Sequence, residues 1–251
     1  MNTSNISIAT MTLVRDAQEE DLVRAALGVL GSLGAPLAVS DGGSPASFTD
    51  FLATLPGVRI VPPRGRGLVA QVTASLDAAA ATGAPFVLYT EPDKHLFFRD
   101  HVRDFIDRAL NDPTVGIVVA GRSSAALATF PEMQRRGEST INQLTGESVG
   151  IDGDYSYGPF LLRRELVTYM HRVPADAGWG WRHYIFTVAS RLGYTVMHVE
   201  GAYTCPEDQR VEDDGQRVHR LRQLAQNVQG LVLGLTTPIG AEVNDARSRR
   251  A

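Results

Sequence analysis

The stretch "VLYTEPDKHLFF", residues 87–98, runs apolar, presents Glu91, Asp93, Lys94 and His95, and then turns apolar again. Carboxylates are costly to bury unless something pairs with them. In extended backbone residues 91 and 93 point to the same side, and Pro92 between them stiffens the chain. Two acids so placed can hold a hard divalent cation, which takes oxygen ligands and often combines one or two carboxylates with the phosphates of a substrate. Taken by themselves, they can equally cap the helix that follows.

Such a pair is useful only if a rigid element presents it. The spacing predicts strands over "ISIATMTL" (6–13), "PLAVS" (36–40), "VRIVP" (58–62), "PFVLYT" (85–90) and "VGIVVAG" (115–121). Between them lie helices at 16–34, 47–55, 68–83 and 98–112, the first with Asp16 as its cap and acids in its first turn. This alternation implies a parallel α/β sheet covered on both faces. Beyond residue 122 the rhythm changes. A polar segment at 129–147 reads as loop plus helix, and the long stretch 131–153 as a candidate lid. A strand running into a helix is expected within 154–167, a helix at 181–193, a strand at 194–203 and a long last helix at 213–235.

Composition narrows the class. A chain of 251 residues with 43% hydrophobic content can bury a sizeable core, and a net charge of −4 argues against non-specific nucleic-acid binding. The single cysteine, Cys205, excludes an internal disulfide framework and fits a reducing compartment. No apolar run reaches the ~20 residues of a membrane helix, and the N-terminus lacks a signal-peptide pattern, so a cytoplasmic protein is expected. A dinucleotide-binding fold would need G-x-G-x-x-G directly after the first strand, where "TLVRDAQEE" has no glycine; a Walker A motif is also absent.

Ligands of open α/β sheets sit beyond the carboxyl ends of the strands. Here those ends carry "LVRD", "SDGGS" (40–44) and "TEPDKH", with "RGRGLVAQVTASLDAA" between the last two. In order and spacing these segments resemble the GT-A type nucleotide-sugar glycosyltransferases, glycosyltransferase family 2 in particular, over residues 6–123. "GPFLLRREL" and "GWGWRHYIFTVASRLGYTV" look like the acceptor side of the same family. The resemblance implies a Rossmann-like, mostly parallel sheet with helices on both faces. It also implies one domain over 1–236, with a nucleotide-sugar-binding half (6–123), an acceptor-side half (124–236) and a loose tail at 237–251.

The implied activity is metal-dependent transfer of a hexose from a UDP- or GDP-linked donor to a small-molecule or glycan acceptor, with Mg2+ or Mn2+ as cofactor and a homo-oligomer left open. Glu91 and Asp93 would hold the metal, with Asp93 counted among the catalytic groups. Thr12, Arg15, Asp41, Arg66 and Gln71 would bind the nucleotide, and Trp179 and Tyr157 would face the acceptor. Arg64, Lys94 and His95 are further candidates to meet a phosphate, with a solvated surface position as the alternative.

Two departures from the pattern stand out. Inverting members carry a Glu-Asp pair where this chain has Arg182 and His183, so His183 is the candidate base, with a structural or acceptor-contacting role as its alternative. The absence leaves retention open, as in the mannosylglycerate and glucosyl-phosphoglycerate synthases that the "GWG" turn resembles. The third metal ligand of those relatives, a histidine, falls on His198, Glu207 or Asp208 without a clear choice. Competing readings are a catalytically degenerate nucleotide-sugar-binding protein and a sugar-nucleotide nucleotidyltransferase, the latter disfavoured by the missing glycine-rich loop after the first strand.

Overall fold

The computed structural model describes residues 3–109 and 114–239. In chain order it contains β1 (Ile6–Thr12), α1 (Ala17–Gly31), β2 (Leu37–Asp41), α2 (Ala46–Thr54), β3 (Val58–Val61), α3 (Leu68–Ala80), β4 (Phe86–Tyr89), α4 (His95–Asp100) and α5 (Val102–Ala109). There follow β5 (Val115–Arg122), α6 (Ser124–Leu127), α7 (Glu132–Val149), β6 (Phe160–Arg163), α8 (Trp181–Arg191), β7 (Thr195–Gly201) and α9 (Asp214–Thr236). The chain forms two compact units, Met1–Asn111 with Gly158–His171, and Asp112–Tyr157 with Arg172–Ala251.

In the first unit the strand order is β3-β2-β1-β4-β6. β1 pairs in parallel with β2 and β4, β2 with β3, and β6 runs antiparallel to β4. Residues Ile6 to Thr10 of β1 are all fully buried, as a central strand with both faces covered requires. Ser7 and Ala9 are small enough for α3 to close on that face, and the Ser7 hydroxyl donates to the Ala79 carbonyl of α3 at 2.9 Å. α1 starts where expected: the Asp16 carboxylate accepts from the Glu19 N–H at 2.8 Å. The single helix expected over 98–112 is instead two. α4 begins at His95, the backbone bends at His101 (φ −132°, ψ −22°), and α5 resumes at Val102.

In the second unit β5 pairs in parallel with β7. The lid expected over 131–153 is absent, because Glu132–Val149 is one continuous 18-residue helix, stopped by Gly150 at φ +84°. Its inward residues, Gln134, Ile141, Asn142, Thr145 and Gly146, recur at helical spacing but are mostly polar, which hid the periodicity. α9 is capped by Asp213, whose carboxylate accepts from Gln216 N–H while the Gln216 side chain returns to the Asp213 N–H. The first residues after α9 are held, since Arg191 Nη1 donates to the carbonyls of Gly234 (2.6 Å) and Thr237 (2.8 Å). From residue 240 on, the expected tail lies outside the described residues.

α9 meets the turn before α8, and α8 itself, backbone to backbone. A Cβ on Gly230 would lie 1.9 Å from the Gly180 carbonyl oxygen, and one on Gly234 2.8 Å from Thr187 Cβ. No side chain fits there without driving the helices apart. Gly230→Ala is therefore expected to destabilise the fold by about 3 kcal/mol, read as a lowered urea midpoint at unchanged m-value.

Candidate functional site

The parallel strands of the first unit bring two groups of expected residues to their carboxyl ends. Where β1 and β2 stop, Gly42 N–H donates to the Thr12 carbonyl at 2.8 Å. The Asp41 carboxylate folds back to accept from the N–H groups of Gly43 (3.2 Å) and Ser44 (2.8 Å), and Thr12 Oγ1 stands 3.5 Å from it. The Ser44 hydroxyl accepts from Val14 N–H at 2.9 Å, tying the two loops together. Gln71, one turn into α3, lies over this turn: a Cβ on Gly42 would come 2.8 Å from Gln71 Nε2. Thr12, Asp41 and Gln71 thus form one cluster, as the sequence reading grouped them. Arg15 turns instead to its own helix, with Nη1 on Glu19 at 3.1 Å and its side chain 67% exposed. Arg64 and Arg66 are exposed on the loop between β3 and α3.

At the end of β4, Thr10 Oγ1 donates to the Thr90 carbonyl at 2.9 Å and fixes where the strand releases the acid pair. Glu91 is buried, Asp93 is exposed, and both carboxylates converge on one cation. Lys94 Nζ lies 2.5 Å from Asp93 Oδ2 and 3.5 Å from Glu91 Oε2. The burial of Glu91 depends on Gly158, at φ +132°, whose Cβ would come 2.8 Å from Glu91 Oε2. Among the described residues, no three His, Cys, Asp or Glu side chains gather closely enough to hold a metal ion.

The second unit holds the remaining candidates around a buried ionic network that the sequence reading missed. At the end of β5, Arg122, its side chain 1% exposed, grips Asp154 by Nε (2.6 Å) and Nη2 (3.0 Å) and reaches Glu138 at 2.7 Å. Asn142 donates to Asp154 at 2.9 Å and accepts from Tyr155 N–H and Ser156 Oγ. Burial opposes both charges, yet Glu138 and Asp154 raise the Arg122 pKa, and Arg122 in turn holds the Asp154 carboxyl below the usual range. The one available signal was the acid in "DGDYSYG", read only for its tyrosines. The network sets Tyr157, whose ring stacks on Tyr203 at 5.1 Å and lies 5.5 Å from the Arg122 guanidinium.

His198 packs edge-on against the Tyr155 ring at 4.5 Å, and among the described residues neither of its ring nitrogens has a hydrogen-bond partner. Gly153 makes room for it, since a Cβ there would lie 2.3 Å from His198 Cε1. Burial lowers its pKa, partly offset by Asp154. Trp179 is half-buried, with Arg182 over its ring at 5.1 Å and its backbone N–H donating to Gln226 Oε1. Glu207 and Asp208 are exposed in a short turn.

No protein-family model matches the sequence, and no curated protein does. Solved structures match its fold. Glucosyl-3-phosphoglycerate synthase from Mycobacterium tuberculosis, in complex with Mn2+, UDP and phosphoglyceric acid, matches with a TM-score of 0.65 at 17% identity, over 94% of this chain and 80% of that one. The same synthase with Mn2+, UDP-glucose and phosphoglyceric acid also gives 0.65 at 17%, over 94% and 81%. A mycobacterial protein gives 0.64 at 18%, over 94% and 76%. The fold is GT-A. Within it the strand-end positions of the Thr12–Asp41–Gln71 cluster and of the acid pair follow from the topology.

His183 is placed differently from a working base. Its imidazole is fully buried on α8, with Nδ1 2.9 Å from Thr145 Oγ1. Because the Thr145 hydroxyl already donates to the Ile141 carbonyl, His183 Nδ1 supplies the proton of that bond. Burial, reinforced by Arg182, lowers its pKa to about 3. A base must reach its proton, so His183 is corrected to a structural group. Since an unfolded histidine protonates near 6.5, the unfolded chain binds more protons than the folded one between that pH and about 3. Stability is accordingly expected to fall as pH drops through this window, by up to roughly 1.4 kcal/mol per pH unit from this group. His183→Gln should make the slope of urea midpoint against pH shallower between pH 7 and about 4.5.

Proposed function

We propose that the protein is a metal-dependent glycosyltransferase that moves a hexose from a UDP-linked donor to a small acceptor, with residues 1–236 working as one catalytic domain. The observation that carries this reading is the convergence of Glu91 and Asp93 on a single cation at the carboxyl end of β4, in a fold whose solved neighbours are named with Mn2+ and UDP or UDP-glucose. An ammonium already occupies the point between the two carboxylates, so their donor set and aim suit a hard cation. Mg2+ or Mn2+ held there would stabilise the charge of the departing diphosphate.

The chain's own residues would do the rest. Asp41, its carboxylate fixed by the Gly43 and Ser44 N–H groups, is placed to accept from the hydroxyls or base of the nucleoside, beside Thr12 and Gln71. Lys94, beside the acids, would add positive charge near a phosphate oxygen, and the exposed Arg66 and Arg15 stand on strand-end loops of the same unit. Within the second unit, Tyr157 and Trp179 offer aromatic faces to an acceptor. A hexosyl donor is supported by the glucosyl synthases among the neighbours, and phosphoglyceric acid is the first acceptor to test.

Calorimetry of UDP with Mn2+ should show binding that weakens at least about 100-fold on chelation and in Glu91→Ala or Asp93→Ala. UDP affinity indifferent to all three would sink the proposal. Lys94→Met removes the competing ammonium and is expected to tighten Mn2+ binding several-fold in the absence of nucleotide, measured by manganese electron paramagnetic resonance. Release of UDP from UDP-glucose, alone or with phosphoglyceric acid, separates a transferase from a protein that only binds the donor.

A further inference from the structure

α9 is apolar on two sides. One side, Asn227, Gly230, Leu231 and Gly234, is buried, and the helix packs on α7, α8 and the turn before α8. On the other, Val218, Leu221, Val228, Val232 and Leu235 are 47, 54, 37, 55 and 46% exposed. With the exposed Ala225 they recur at alternating spacings of three and four. That is the two-in-seven seam of a coiled coil, carried along about 25 Å of helix. Single exposed apolar residues are ordinary, but a continuous seam marks an interaction surface.

We propose that this seam is a self-association surface, on which α9 of a second copy of the chain packs antiparallel about a two-fold axis. The register is self-complementary. With the axis between Gln226 and Asn227, Val218 faces Leu235 of the second copy, Leu221 faces Val232, and Ala225 faces Val228. Every seam residue then has a partner, as an isologous interface demands, and the small Ala225 lets the helices close at the centre.

Charge selects the same orientation. Arg217, Arg220 and Arg222 crowd the N-terminal half of α9, which has no acid beyond Asp214. A parallel pair would set these arginines against each other. An antiparallel pair sets them beside the C-terminal end of the other helix, whose dipole favours cations. Residues 240–251, "GAEVNDARSRRA", have Val243 as their one large apolar residue and offer no matching seam.

Analytical ultracentrifugation of the full chain is expected to show a dimer, and Leu221→Glu or Val232→Lys to weaken it at least about 30-fold, with circular dichroism confirming that each variant is folded. The double variant should recover the dimer, because every Glu then meets a Lys across the axis. Independently of those substitutions, oxidation of Val218→Cys/Leu235→Cys should yield a covalent dimer. A wild-type chain that stays monomeric at about 100 µM overturns the proposal. So does a dimer that the single variants leave intact, or a double variant that fails to recover. Binding of the wild-type monomer to phosphatidylcholine–phosphatidylserine vesicles would overturn it in favour of a membrane surface.

Discussion

A guanidinium with 1% of its side chain exposed has to be neutralised by everything around it, and Arg122 organises the second unit on that condition. Removing two charges from water costs several kcal/mol per ion, and only a fork-to-fork pair with all remaining lone pairs filled offsets the loss. Asp154 meets the requirement by accepting from Arg122, Asn142 and the Ser156 N–H. Glu138 and Asn142 both belong to α7, and Asp154 to the segment that leads to Tyr157. One buried cation thus fixes the rotation of α7 and the path of residues 154–157. It also orients an aromatic pair, Tyr157 on Tyr203, that the proposed acceptor side uses.

The first unit solves a related problem by convergence. Its parallel strands end at one edge, so side chains far apart in sequence, Thr12, Asp41 and Gln71, come together without long-range ion pairs. Backbone N–H groups satisfy the Asp41 carboxylate, whereas Lys94 satisfies Glu91 and Asp93. A carboxylate tied to backbone is preorganised, while one tied to a flexible lysine can exchange its partner. That difference matches the roles proposed for them, a fixed contact to the nucleoside and a site that accepts another cation.

Glycine carries the tightest packing. Gly230 against Gly180, Gly158 against Glu91 and Gly153 against His198 are places where a Cβ would fall within 2.8 Å of another atom. The "GWG" turn, read from sequence as an approach to the acceptor, is also the point where the backbones of α9 and the turn before α8 touch.

The sequence by itself determined the α/β class, the order of strands and helices from β1 to β4, the cap at Asp16, and the position of the acid pair at a strand end. Those features follow from local rules, namely hydrophobic period, capping chemistry and chain punctuation. Only tertiary structure decided that 132–149 is one continuous helix and not a loop followed by a helix, because its buried face is polar and matches no hydrophobic period until Arg122 and Asp154 are in place. The burial of His183 was invisible for a similar reason, since a histidine reads the same in sequence whether it meets solvent or the Thr145 hydroxyl. The convergence of Glu91 and Asp93 on Lys94 lies between the two cases. Their spacing was legible, but the cation between them is a property of how the chain turns after β4.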